Sequence, residues 1–566
     1  MKRFVLGAPV VLLALATGCD ANLRTPDTGV PPADTGVPED IVAPDASEPA
    51  DTGAADGTSP DTGTVDTGTA DTGTADTGGT DASVDVPTDT RTPPTDGGCT
   101  ISPPAPMQPV SAALLPERRV TCGCRARTPS VTPGSDATRF LLRGRIVTPA
   151  VVHAAGEVLV VGNLINCVGP TGMCASRPEA SNATIIETGG LIYPGLIDGH
   201  NHVAYNWLPE WVAGRLFMNR YQWQRATAYD TYITPYRVNV GMHECAMAKY
   251  GEARAIFAGT TTIQGGPNRT CTRVLARNPE FGADFGGVDR HATNILGIST
   301  VDTMAAANLR RQMDDGSLTT YIIHLGEGID DMSRAEFTDL LTKNLLTQAT
   351  VMVHGTAFLD SQHMQAGAAR SRIVWSPRSN VALYGDTTDV RSALMRGVLV
   401  SLAPDWTPSG APDILQELRF ARNVGRNRWP GLLTDRKLVE MVTSDAARVL
   451  DRHTLIGSLE AGRYADLMVI PDTGCDPYSS LVDAVAADVE LVMVGGRPMY
   501  GTSSIMRALP AAALTGCEDT TVCSSTRVAC VARPGASDMM NQTLEQITTE
   551  LRSFYPMVLP LVPRCP

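Results

Sequence analysis

The stretch PGLIDGHNHVAYN, residues 194–206, ends an apolar run in two histidines separated by one residue. Alternate side chains of a β-strand share a face, so His200 and His202 point the same way. Two imidazoles converging from the end of a buried strand can hold a metal, or they can be two unrelated polar residues. The rest of the chain decides between these readings.

Further apolar runs follow. TTTIQGG (260–266), TYIIHLGEG (320–328), VMVHGTAFL (351–359), RIVWSP (372–377) and VLVSLAPD (398–405) read as strands with helical patterns between them. DILQELRFARNVG, residues 413–425, has apolar positions at helical spacing and reads as the last helix of the series, explained by core packing alone. Strands alternating with helices over roughly 250 residues predict an α/β chain folded as a (β/α)8 barrel, here spanning 191–454. Between Gly266 and Thr320, NILGIST (294–300) is the clear strand run, and the other strands there are inferred from the fold. RFLLRGRIVTP and GEVLVVGNLINCVGP before the barrel, with RYADLMVI and VELVMVGGRPMYG after it, are β-rich. They predict a small flanking β-sandwich assembled from 139–190 and 455–501.

Catalytic groups of such barrels sit at the C-terminal ends of the strands. His200 and His202 end the first run, His324 and Glu327 follow TYII, His354 follows VMV and Asp405 follows VLVSLAP. A lone histidine after an apolar run is usually a hydrogen-bonded core residue. Four of the chain's nine histidines at successive strand ends, with an aspartate ending the last, point instead to a metal site. Zinc takes imidazole nitrogen and carboxylate oxygen, and a catalytic zinc keeps a position for water, whose pKa it lowers towards neutrality. Glu327, three residues beyond His324, is placed to shuttle protons between water and a leaving group.

PGLIDGHNH, IIHLGEG, VMVHGTAFL, VWSPRSNVALYG and VSLAPDWTPSG occur in the order found in the amidohydrolase superfamily. The segment AARVLDRHTLIGSLEAGRYADLMVI resembles the closing segment of its cytosine deaminase, chlorohydrolase and imidazolonepropionase branches. The resemblance covers about residues 139 to 501 and implies a hydrolase of carbon–nitrogen bonds outside peptides. Carried over by position, it makes His200, His202, His324 and Asp405 the metal ligands and Glu327 the proton shuttle. Asp405 would also accept a proton from the attacking water, and His354 would polarise the scissile group or steady that water. Ser379 and Asn380, in SPRSN, match a loop that lines the substrate pocket or supports the seventh strand. Ala403 and Pro404 depart from the small residues usual before the last aspartate. Other branches bridge two metals with a carboxylated lysine on the fourth strand. The four lysines here, Lys2, Lys249, Lys343 and Lys437, all lie elsewhere, so one divalent metal is implied, zinc first and iron as the alternative.

The insert WLPEWVAGRLFMNRYQWQR (207–225) opens a segment rich in aromatic residues. It reads either as a substrate lid, with Trp207, Trp211, Tyr221 and Trp223 lining a planar pocket, or as ordinary packing of a long first loop. His243 and His291 fall outside the motifs and read as structural.

The first eighteen residues, with two basic residues and a short apolar run, read as a secretory signal, and LATGC resembles a bacterial lipobox that would lipidate Cys19. Residues 19–98 form a DTG-repeat segment poor in large apolar side chains, expected to be a disordered tether. From Asp20 on it holds 17 acidic and two basic residues, so it accounts for the chain's net charge of −14 and the remainder is near neutral. Such a tether spans on the order of 50 Å. Without a basic stretch, a nucleic-acid partner finds no support. Of 13 cysteines, those at 99, 122, 124, 517, 523, 530 and 565 crowd the flanks (99–138 and 502–566) and read as disulfide staples of an exported chain. The whole predicts a membrane-anchored hydrolase of a small molecule, by deamination of a heterocycle or opening of a cyclic amide. Superfamily members are often homo-oligomers. A dipeptide or amino-acid amide hydrolase is the alternative within the class, and a silent ligand-binding barrel the alternative outside it.

Overall fold

A computed structural model describes residues 128–562 and 565, apart from 149, 267–274 and 533–540. Cys19, the tether and Cys99, Cys122 and Cys124 lie outside the described residues. The strands are β1 (Ser130–Thr132), β2 (Arg139–Val147), β3 (Val152–Val161), β4 (Leu164–Pro170), β5 (Thr184–Pro194), β6 (Leu196–Asp198), β7 (Thr260–Ile263), β8 (His291–Asn294), β9 (Thr320–Leu325) and β10 (Thr350–His354). They continue with β11 (Arg372–Trp375), β12 (Leu399–Leu402), β13 (Leu467–Pro471), β14 (Leu491–Val494), β15 (Arg497–Thr502), β16 (Glu518–Val522) and β17 (Ser525–Ala529).

β8 to β12 form one wholly parallel ladder. β6 and β7 pair in parallel, and a bridge between Asn201 and Asp405 joins the end of β6 to the chain just beyond β12. A parallel bridge from Thr262 to Arg277 supplies the remaining position of the ring. The α/β barrel read from the sequence is therefore present, its third position marked among the described residues by that bridge. Period-two alternation sets the layers. Ile322, Val351, Val353 and Val374 cluster with Ile197 and the helix Ser444–Val449, while Tyr321, Ile323, Met352 and Ile373 pack with Phe337, Leu340 and Leu418 of the surrounding helices.

The flanking strands make one ten-stranded sheet shared by segments from before and after the barrel. β5 pairs antiparallel with β13, from Pro194–Leu467 to Gly190–Pro471. Only Gly195 separates β5 from β6, and a Cβ there would lie 2.2 Å from Thr261 Oγ1, so the Thr261 side chain packed against this position demands glycine. The sheet thus holds the start of the first barrel strand, and with it the histidine pair.

NILGIST is not a strand. The strand is the preceding His291–Asn294, and Asn294 ends it: its Oδ1 accepts from the backbone N–H of Leu296 (2.9 Å) and Gly297 (3.0 Å). Such an Asx turn competes with ladder bonding, and Gly297 follows it with φ of 92°. Ile298–Thr300 is a single 3₁₀ turn.

Helix Ile414–Arg428 covers the predicted final helix, its N-terminus capped by Asp413. Cys517 pairs with Cys530, and Cys523 with Cys565. A third bridge, Cys167–Cys174, lies within the sheet domain, where no staple was expected. The C-terminal helix Leu544–Phe554 buries Leu544, Ile547 and Leu551, and its Glu550 meets His243 Nδ1 on the long helix Thr227–Phe257 at 2.8 Å.

Candidate metal centre

Four side chains from three strand ends converge. His200 and His202 follow β6, His324 lies in β9, and Asp405 follows β12; one ligand atom from each lies within 4.8 Å of every other. Asp405 Oδ1 is 3.6 Å from Nε2 of both His200 and His202. The rings of His200 and His324 have centroids 4.6 Å apart. His200, His324 and Asp405 are buried, whereas the His202 side chain keeps 24% of its exposure and marks the opening to solvent. Asp405 and His354 both take left-handed backbone, with φ of 71° and 73°. Non-glycine residues adopt it seldom and at a cost, here where the chain leaves a strand and must turn its side chain over the barrel.

The surroundings decide the tautomers. Gln264, just beyond β7, presents Oε1 2.9 Å from His200 Nδ1 while its Nε2 donates to Thr293 Oγ1 at 3.3 Å. Thr293 in turn donates to Glu280. Nδ1 of His200 therefore carries the proton, and Nε2 turns its lone pair to the cluster, buried and without a hydrogen-bond partner. Burial pushes His200 down to about 3 and holds His202 and His324 well below the usual histidine range, so all three rings are neutral ligands. Burial, with Glu327 nearby, drives the Asp405 carboxyl well above its usual range. A cation among these atoms offsets that cost. Ser379 donates to Asp405 Oδ2 at 2.7 Å, leaving Oδ1 to the cluster. Three neutral imidazoles, one carboxylate and an orphaned lone pair are a donor set that fits one divalent metal, zinc in particular.

A second group overlaps the first. His324, Glu327 and His354 also gather their ligand atoms, with His354 Nε2 3.7 Å from Glu327 Oε2. Trp375 Nε1 donates to Thr387 Oγ1 (2.7 Å), which donates to Asn380 Oδ1 (3.2 Å). Asn380 Nδ2 then donates to His354 Nδ1 at 3.1 Å. The proton of neutral His354 consequently sits on Nε2, facing Glu327. Tyr384 donates to Glu327 Oε1 at 2.7 Å and accepts from Trp223 Nε1 at 2.8 Å, so Oε2 is the mobile face of the carboxylate. Burial raises Glu327 even though Arg220 and Tyr384 oppose it.

Residues 313–499 match the model of the amidohydrolase family. Over that stretch the chain is similar to the amidohydrolase family. It is 25% identical over 416 residues to a 5-methylthioadenosine/S-adenosylhomocysteine deaminase of Symbiobacterium thermophilum, covering 64% of this chain and 93% of that one. Its fold is similar to that of an adenosine deaminase from Xanthomonas campestris with bound zinc (18% identity, TM-score 0.54, 68% of this chain and 96% of that one). It is similar in fold, too, to the atrazine chlorohydrolase of Arthrobacter aurescens in complex with zinc (17% identity, TM-score 0.53, 73% and 99%).

Two readings of the pocket need correction. Trp207 does not line it: the ring is fully buried and in edge contact with Phe554 and Tyr555 of the C-terminal segment. Ser379 and Asn380 lie on a helix, Pro377–Tyr384, rather than a loop. Their polar groups hydrogen-bond Asp405 and His354, so they act as positioning residues. Trp211 and Trp223 do reach the site's wall, packing with Trp406 and Tyr384, whereas Tyr221 donates to Glu336. Gln264, Arg220, Tyr384 and Trp406 were not singled out from the sequence. Gln264 alone carried a signal, at the end of the strand run TTTIQGG.

Proposed function

We propose that this amidohydrolase removes an exocyclic amine from a planar heterocycle by metal-assisted attack of water, releasing ammonia. The observation that carries the reading is the joint between the two groups: the His200–His202–His324–Asp405 set faces the Glu327–His354 pair across a few ångströms. The aromatic wall supports a planar substrate. Trp406 lies 5.6 Å from the His202 ring, and Tyr205, Trp223 and Tyr229 lie 5.4, 5.9 and 6.3 Å from Trp406. Relatives named as deaminases of purine nucleosides support the same reading.

When bound, the divalent metal supplies Lewis acidity and lowers the pKa of water. The chain's residues do the rest. Glu327 accepts the proton of the attacking water at Oε2 and delivers it to the departing amine, with Oε1 held by Tyr384. Asp405 accepts the water's second proton at Oδ1 as the carbonyl forms, for return to the ring nitrogen of the product, while Ser379 fixes Oδ2. His354 donates from Nε2 to the ring nitrogen or oxygen on which negative charge gathers, in a site where buried dipoles act strongly.

The test is metal content together with ammonia release. Purified protein should hold about one equivalent of zinc or iron, lost in a His200→Ala, His202→Ala variant, and should release ammonia from some member of a heteroaromatic amine panel. Ring opening of a cyclic amide without ammonia would replace deamination with the other carbon–nitrogen chemistry. Folded protein that takes up no metal would leave only a binding role.

We further propose export and attachment to a membrane through lipid on Cys19. The LATGC sequence supports it, as do the disulfides Cys167–Cys174, Cys517–Cys530 and Cys523–Cys565 among the described residues, since disulfides persist in oxidising compartments. Incorporation of labelled palmitate that disappears in Cys19→Ala checks it, and an unlabelled wild-type protein refutes it.

A further inference from the structure

Arg220 is a buried cation that the proposed chemistry does not use. Its side chain is 5% exposed, and its backbone N–H donates to the carbonyl of Glu327 at 3.1 Å, which fixes it beside the proton-shuttling pair. One guanidinium nitrogen, Nη2, donates to the carbonyl of Ile295 at 2.7 Å. Among the described residues, Nε and Nη1 have no hydrogen-bond partner. Nη1 stands 3.7 Å from Glu327 Oε2, near enough for charge to act and too far for a hydrogen bond.

The nearby carboxylates give Arg220 no hydrogen bond: Glu327 Oε2 stays 3.7 Å away as an ion-pair partner only. Glu327 Oε1 is held by Tyr384. Glu336, the other carboxylate near Arg220, accepts from Tyr221 OH and from the backbone N–H of Gly326, both at 2.7 Å. Buried donors are seldom left unpaired, and a guanidinium presents its donors as a planar fork suited to a carboxylate. The unpaired Nη1 lies beside the atom that would exchange protons with the substrate, so the missing acceptor belongs close to the reacting carbon.

We infer that Arg220 binds an anionic group of the substrate, and that the substrate class is a heteroaromatic amine bearing a carboxylate near the carbon attacked. This rests on the heterocycle-hydrolase reading and narrows it. The charge count agrees: a divalent metal with Asp405, Glu327 and Arg220 leaves the site net positive. The aromatic wall receives the ring, and the guanidinium takes the substituent.

The experiment compares binding of 2-aminopyrimidine-5-carboxylate and its neutral 5-carboxamide to metal-loaded full-length protein. Trp223 and Trp406 at the wall serve as fluorescence reporters, and metal content is measured in every sample. Wild type should bind the carboxylate at least tenfold more tightly. Arg220→Gln should bind both equally, and Arg220→Lys should keep part of the preference because the charge remains without the fork. No preference in wild type overturns the inference. A preference that persists in Arg220→Gln also overturns it, since the metal rather than the guanidinium would then hold the anion. Should Arg220→Gln not fold, Arg220→Lys decides: an undiminished preference counts against the fork. Ammonia release from neutral amines alone, without a carboxylate preference, would keep the enzyme and sink Arg220's role. An Arg220-dependent preference without ammonia release would keep the anion site and sink the deaminase.

Discussion

Replacing Gln264 by leucine removes the acceptor that fixes the His200 tautomer. Gln264 is fully buried, with Oε1 2.9 Å from His200 Nδ1. In the metal-loaded protein Nε2 must offer its lone pair, so Nδ1 must carry the proton, and in Gln264→Leu that N–H faces only carbon. Without metal the ring escapes by moving its proton to Nε2, towards the polar cluster. The cost therefore falls on the loaded state alone. An unsatisfied buried donor costs about 1–3 kcal/mol, and since about 1.4 kcal/mol is tenfold, the zinc Kd should rise by roughly 5- to 150-fold, in the range typical of residues behind metal ligands. Competition against a chromophoric chelator at pH 7 measures it, with thermal melting of the metal-free protein as the control. Gln264→Glu keeps an acceptor and should bind zinc close to wild type. A zinc Kd within twofold of wild type in Gln264→Leu, with a lowered melting temperature, would show that Gln264 serves packing and would refute the argument.

Three other perturbations follow from the same geometry. Tyr384→Phe strips the hydrogen bond from Glu327 and leaves Trp223 Nε1 unpartnered; a bond to a charged group is worth about 1.5–3 kcal/mol, so ammonia release should fall roughly 10- to 150-fold at unchanged metal content, and an unchanged rate would deny Tyr384 any hold on the shuttle. His363 is buried with neither ring nitrogen partnered, and burial pushes it down to about 4. Between its unfolded value and pH 4 only the unfolded chain takes up the proton, so stability is present above that window and lost as pH falls through it, by on the order of 3 kcal/mol. Urea midpoints of His363→Leu should be flatter across pH 6.5 to 4 (about that range by the ordinary histidine pKa), and a slope equal to wild type would discount His363. The Cys523–Cys565 bridge spans 42 residues; by loop-closure entropy, Cys523→Ser with Cys565→Ser should lose about 4 kcal/mol against denaturant, and an unshifted midpoint would mean the C-terminal segment is held by packing alone.

The barrel and its ligands were legible because their signals are local. A buried parallel strand needs a near-continuous apolar run, and a residue at its C-terminal end is brought to the barrel mouth by the fold itself. PGLIDGHNH, TYIIHLGEG, VMVHGTAFL and VLVSLAPD each state both facts at once. NILGIST misled because its apolar residues mimic a strand while Asn294 and Gly297 turn the backbone out of one. The third barrel position, marked among the described residues by the bridge at Arg277, was not read from the sequence, because a single bridging residue carries no alternation.

The amino-acid sequence alone determined the α/β barrel, the order of strands, and His200, His202, His324, Glu327, His354 and Asp405 at their ends. Periodicity and strand polarity are properties of neighbours along the chain. Tertiary structure alone decided how those residues are held. Gln264 behind His200, Tyr384 behind Glu327, Asn380 behind His354 and the unpaired guanidinium of Arg220 come from elements far apart in sequence. It also decided that Trp207 packs under the C-terminal helix instead of facing a substrate. Hydrogen bonds and burial depend on which elements meet in space, and spacing along a chain does not encode that meeting.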